Sequence, residues 1–116
     1  MDNRFLYRSS LKSKDIPKFQ MMGITSELIL SKQVFPKNIE ITSFLNVVFN
    51  VEFKNYVMKS RTLILSRTVR VIEGCSENEY QNYRRKLLNF VEEYYESEEV
   101  SKNISKSSIS KWVTGE

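Results

Sequence analysis

Residues 75–96, CSENEYQNYRRKLLNFVEEYYE, constrain the fold more than any other stretch. Ser76 and Glu79 have the S-x-x-E spacing of a capping box. The Ser oxygen accepts from a free N–H of the first turn, and the Glu carboxylate reaches back to the Ser N–H. Tyr80, Tyr83, Leu87, Phe90 and Tyr94 follow at steps of three and four, and Leu88, Val91 and Tyr95 widen the stripe. A capped start with that period predicts an amphipathic helix over 77–97. Its apolar face needs a cover, which is either the rest of the chain or a second copy.

The rest of the chain is read around that helix. Thr25, Ser26 and Glu27 resemble a capped start, and the apolar pattern that follows stops at Pro36, which predicts a helix over 25–35. Asn38 and Glu40 suit another start. From there to Gly74, Leu45, Val48, Phe49, Phe53, Tyr56, Val57, Ile64, Leu65, Val71 and Ile72 recur at helical steps. Val47, Phe49, Val51 and Phe53 also alternate as in a strand, as do Leu63, Leu65, Val69 and Val71, and the β-branched load suits strands. No Gly or Pro stands between Asn38 and Gly74 to make a tight hairpin turn. The reading is therefore one long or kinked helix over 39–73. A strand hairpin within 44–72, turning near Lys54 and Asn55, is the alternative. Gly74 stops the helix, and Pro17 marks a break. Residues 1–20 show no period and read as an irregular basic arm. Residues 21–116 read as a single small all-α domain with a mobile segment over 98–116; the hairpin would make it α+β.

Composition agrees with one folded domain. The chain has 116 residues, 41% hydrophobic and 12% aromatic, with three Gly and two Pro. The stretch FLNVVFNVEF is interrupted by Asn46, Asn50 and Glu52 and falls short of the roughly 20 residues of a membrane span. The first residues lack the apolar centre of a secretion signal. Cys75 is the one cysteine, so no internal disulfide forms and a reducing, cytoplasmic setting is expected. There is no Ala, while Lys, Asn, Ile, Ser, Phe and Tyr abound, as expected of an A/T-rich genome such as that of a low-GC bacterium, a virus or a mobile element.

Catalysis finds little to work with. There is no His, the commonest general base and zinc ligand. Glu92, Glu93, Glu96, Glu98 and Glu99 cluster at an exposed helix end, with no apolar pocket to separate their pKa values. Cys75 precedes a helix N-terminus but has no His to pair with. Neither a phosphate loop nor a zinc spacing is present. No catalytic residue, metal or cofactor is expected.

The net charge of +4 is unevenly spread. Residues 1–91 hold 15 Lys or Arg against 8 Asp or Glu, a net +7, and residues 92–116 hold 3 against 6, a net −3. Arg84, Arg85 and Lys86 form one basic cluster, and Lys59, Arg67 and Arg70 form another. In a helix, Lys59, Ser66 and Arg70 share a face and suit a phosphate-contacting stripe.

The C-terminal stretch ISKSSISKWVTG, residues 104–115, looks like the turn and recognition helix of Cro/repressor-type helix-turn-helix regulators. Ser107 or Ser108 caps a short helix over 107–114. The resemblance implies Ser105, Ser107, Ser108 and Lys111 towards DNA, with Ile109 and Trp112 towards the core. The sequence departs from the family before the turn, where Glu98 and Glu99 replace the Leu-Ala pair and Asn103 stands at the turn.

Two functions follow as expectations. The first is a small basic DNA-binding accessory or regulatory protein, dimeric, contacting DNA with Lys59, Arg67, Arg70, Arg84, Arg85, Lys86, Lys106, Ser108 and Lys111. The alternative is a protein–protein adaptor or inhibitor, encoded by a virus or mobile element, presenting Tyr80, Tyr83, Leu87, Phe90 and Tyr94 to its partner.

Overall fold

The computed structural model describes the backbone of residues 4–114 and the side chains of residues 5–98. The protein is all-α. Helix α1 spans Arg4–Lys12 and α2 spans Lys18–Leu30. A single 3-10 turn, Asn38–Glu40, leads into α3 (Ile41–Phe44), which runs on as a π-helical turn over Leu45–Phe49. Helices α4 (Asn55–Met58), α5 (Arg61–Gly74) and α6 (Glu77–Thr114) complete the chain.

No strand forms among the described residues, so the hairpin alternative is not borne out. The single helix expected over 39–73 is not continuous either. Asn50 adopts the left-handed conformation with φ 54°, and its N–H donates to the Asn46 carbonyl at 3.0 Å while Val51 N–H reaches the Leu45 carbonyl at 3.4 Å. Asn tolerates that conformation better than other side chains except Gly, so it ends a helix without glycine. An extended link carries the chain to α4. Ser60 then caps α5 by accepting from Leu63 N–H at 3.3 Å.

The start of the chain differs as well. Residues 1–20 were expected as an irregular arm, yet α1 forms and buries Tyr7 and Leu11, one turn apart. It runs antiparallel to α6, with Arg8 paired to Glu92 at 3.3 Å. The link after it lies along the start of α6, where Gln81 donates to the Lys14 carbonyl at 2.9 Å and Tyr80 donates to the Ile16 carbonyl. Helix α2 begins straight after Pro17, not at residue 25, and Thr25 is buried in its interior. It ends at Leu30, where the Ser31 hydroxyl accepts from Val34 N–H at 3.1 Å.

Helix α6 starts as expected. Ser76 N–H donates to Glu79 Oε1 at 2.9 Å, and Glu79 N–H donates to Ser76 Oγ at 3.2 Å. It does not stop near residue 97 but continues to Thr114. Its 38 residues at about 1.5 Å each account for the longest dimension of the molecule, 58 Å.

The Ser76 N–H and hydroxyl hold the Glu79 carboxyl below the ordinary glutamate pKa. A lowered folded pKa means the carboxylate stabilises α6 fully above the ordinary glutamate value. That contribution is lost as pH falls through the lower, folded value. Glu79→Gln is therefore expected to reduce stability at neutral pH and to close the gap with the parent protein in acid. Urea midpoints across that range measure it, and a gap independent of pH would show that the carboxylate is not the capping group.

Leu11, Met21, Ile29, Ile41, Leu45, Ile64, Ile72, Leu87 and Val91 form the centre of the core, drawn from α1, α2, α3, the π turn, α5 and α6. One end of the core is aromatic. Phe44 meets Phe35, Phe49 and Phe90 at ring centroid distances of 5.2, 5.9 and 4.7 Å. Phe49 in turn meets Tyr83 at 5.1 Å.

Candidate nucleic-acid interface

Three cations are used inside the fold, each on the C-terminus of a different helix. Arg84 is only 7% exposed and donates from Nη1 to the Leu11 carbonyl of α1 at 2.8 Å and from Nε to Gln81 Oε1 at 2.8 Å. Arg61 donates from Nη1 to the Ile29 carbonyl of α2 at 2.9 Å and from Nε to Asn38 Oδ1 at 2.8 Å. Lys18 Nζ donates to the Glu73 carbonyl of α5 at 3.0 Å. Helix ends leave carbonyls unpaired and carry a negative partial charge, so a cation there satisfies both. Arg84 therefore faces inward, apart from Arg85 and Lys86, which are exposed. Arg85 donates to Asn82, and both sit on the helix that carries Glu92, Glu93 and Glu96.

The second cluster is different. Residues 53–72 hold five Lys or Arg and no Asp or Glu, and Glu52 and Glu73 bound them. Lys54, Lys59 and Arg70 are exposed, and Thr62 and Ser66 continue the exposed stripe of α5 towards Arg70. Lys59 lies in the turn before α5, outside the helix that carries Ser66 and Arg70, so the three expected to share one helical face do not lie on a single helix. Arg67 is half-buried, and its Nη2 donates to Tyr56 Oη at 3.4 Å. Tyr56, 57% exposed, stands between Lys54 and Lys59 in sequence. Sequence reasoning missed Tyr56 and Lys54 because Tyr56 was counted with the apolar positions of a long helix. The available signal was an acid-free run of basic residues containing an aromatic.

The aromatic stripe of α6 is mostly turned inward. Tyr80, Tyr83 and Leu87 are buried, and burial raises both tyrosine pKa values. Phe90 and Tyr94 remain half-buried and stack on each other at 6.3 Å. With Glu93, Ser97 and Glu98 they line a shallow open groove whose carboxylates disfavour phosphate.

Helix α6 runs unbroken through residues 98–107, so the turn of the helix-turn-helix resemblance is not formed and 107–114 is not a separate helix. The side chains of Lys106, Ser108 and Lys111 lie outside the described residues. Cys75 donates its thiol to the Ile72 carbonyl at 3.0 Å, and burial pushes its pKa up, away from an activated nucleophile. Among the described residues, no three acids or cysteines gather as metal ligands, and no helix is long and apolar enough to cross a membrane. No family model, curated protein or solved structure matches this chain.

Proposed function

We propose that the protein is a small DNA-binding accessory or regulatory protein that contacts the nucleic-acid backbone through α4 and α5. The observation that carries this reading is the acid-free run of residues 53–72, which bears Lys54, Lys59, Arg67 and Arg70, whereas Arg84, Arg61 and Lys18 are engaged by main-chain carbonyls of the fold. Phosphate contacts release counterions, so affinity is expected to fall steeply with salt. Lys59→Glu/Arg70→Glu, at two exposed positions, is expected to weaken binding at least about tenfold and to lower the salt slope by about 2. Arg85→Glu/Lys86→Glu is expected to change it far less. Fluorescence anisotropy with labelled duplex and single-stranded DNA, run in parallel at low salt, measures both. No binding of either DNA to the parent protein would overturn the reading.

The adaptor reading draws on a different surface from the one its sequence suggested. Helix α2 leaves Phe19 76% exposed and Leu30 exposed on the side that carries Gln20 and Glu27, and α1 leaves Phe5 and Leu6 exposed. Sedimentation of the protein and of Phe19→Ser tests whether this face pairs with a second copy. A parent protein that stays monomeric at high concentration would remove the dimer expected with the DNA-binding reading.

A further inference from the structure

We infer that Tyr56 is a stacking platform for an unpaired base, so that the α4–α5 surface takes single-stranded nucleic acid in preference to duplex. This rests on the phosphate-binding reading above and specifies its ligand. A tyrosine hydroxyl can donate to a phosphate, but an exposed aromatic ring face adds nothing to such a contact. Tyr56 is nonetheless left 57% exposed, with exposed Lys54 and Lys59 two and three residues away and Arg67 at its hydroxyl, and no other ring packs on it among the described residues. The Arg67 guanidinium donates to its hydroxyl at 3.4 Å, a contact at the polar edge of the ring and not on its face. Aromatic faces stack on bases, and every base offers a π face. In a duplex those faces are covered by neighbouring bases; only a single strand, a loop or a flipped base presents one. Lys54 and Lys59, exposed on either side of Tyr56 in sequence, would hold the neighbouring phosphates.

The test uses the full chain with labelled oligothymidylate and with a duplex of the same length. Tyr56→Ala is expected to weaken oligothymidylate binding roughly 5- to 100-fold, the effect of losing one stacked base, and to leave duplex binding unchanged. Tyr56→Phe keeps the ring and is expected to stay close to the parent protein. Tyr56 is exposed, so the variants should fold, and circular dichroism checks that they do. Oligothymidylate binding that survives Tyr56→Ala, or a parent protein that prefers duplex, would overturn the stacking platform while leaving the phosphate surface standing. Absence of binding to both probes would instead overturn the function on which it rests.

Discussion

Phe44→Ala is expected to lower the stability of this protein by about 3–5 kcal/mol, the range for removing a buried phenylalanine. Phe44 is the hub of the aromatic end of the core. It touches Phe35 from the link after α2, Phe49 from the π turn and Phe90 from α6. Truncating it opens a cavity between three segments that have no hydrogen-bonded ladder to close it. Domains of this size have roughly 5–15 kcal/mol in total, so the variant should lose a large share of its stability. Urea denaturation followed by tyrosine fluorescence measures the change, and Phe44→Leu, which keeps much of the volume, is expected to retain most of it. A loss within about 0.5 kcal/mol, the size of an ordinary surface change, would mean that the rings of α6 are not held by this cluster.

The second large effect is expected at Arg84, and it concerns folding. Arg84→Ala removes the donor to the buried Leu11 carbonyl and the packing of the side-chain stem, at a cost of about 2–4 kcal/mol. Arg84→Lys restores the charge but not the planar fork that reaches both the Leu11 carbonyl and Gln81, so it should recover only part of this. Arg85→Ala, one residue on and exposed, should stay within about 0.5 kcal/mol of the parent protein. A reversal of Arg84, Arg85 and Lys86 together would therefore unfold the chain, which makes it a poor probe of the proposed DNA contact. Equal stability of Arg84→Ala and Arg85→Ala would show that α1 is held by its apolar contacts alone.

Local chemistry made part of this fold legible. The Ser76–Glu79 box, the stop at Gly74 and the break at Pro17 each act over three or four residues, and each appears where the sequence places it. Arg84 was legible too, being four residues after Tyr80 and three before Leu87, which puts it on the apolar face. Its place beside Arg85 and Lys86 made it look like part of a surface cluster. Helix α1 was not legible. Nine residues with Tyr7 and Leu11 as their buried pair are too short to be stable alone, and α6 stabilises what propensity does not. The break at Asn50 was hidden because asparagine tolerates both helix and the left-handed turn, and packing chose the turn.

The sequence by itself favoured an all-α chain over the α+β alternative and determined the start of its longest helix and the concentration of positive charge before residue 92. Those depend on residue type, on period and on hydrogen bonds between near neighbours. Only the tertiary structure decided which cations are available to a partner. Arg84, Arg61 and Lys18 meet carbonyls 73, 32 and 55 residues away, so their partners are defined once the helices have packed. The same packing buried Tyr80 and Tyr83 and left Tyr56 in the open, because the apolar face of α6 was covered by α1 and the π turn, while α4 presents Tyr56 on its outer side.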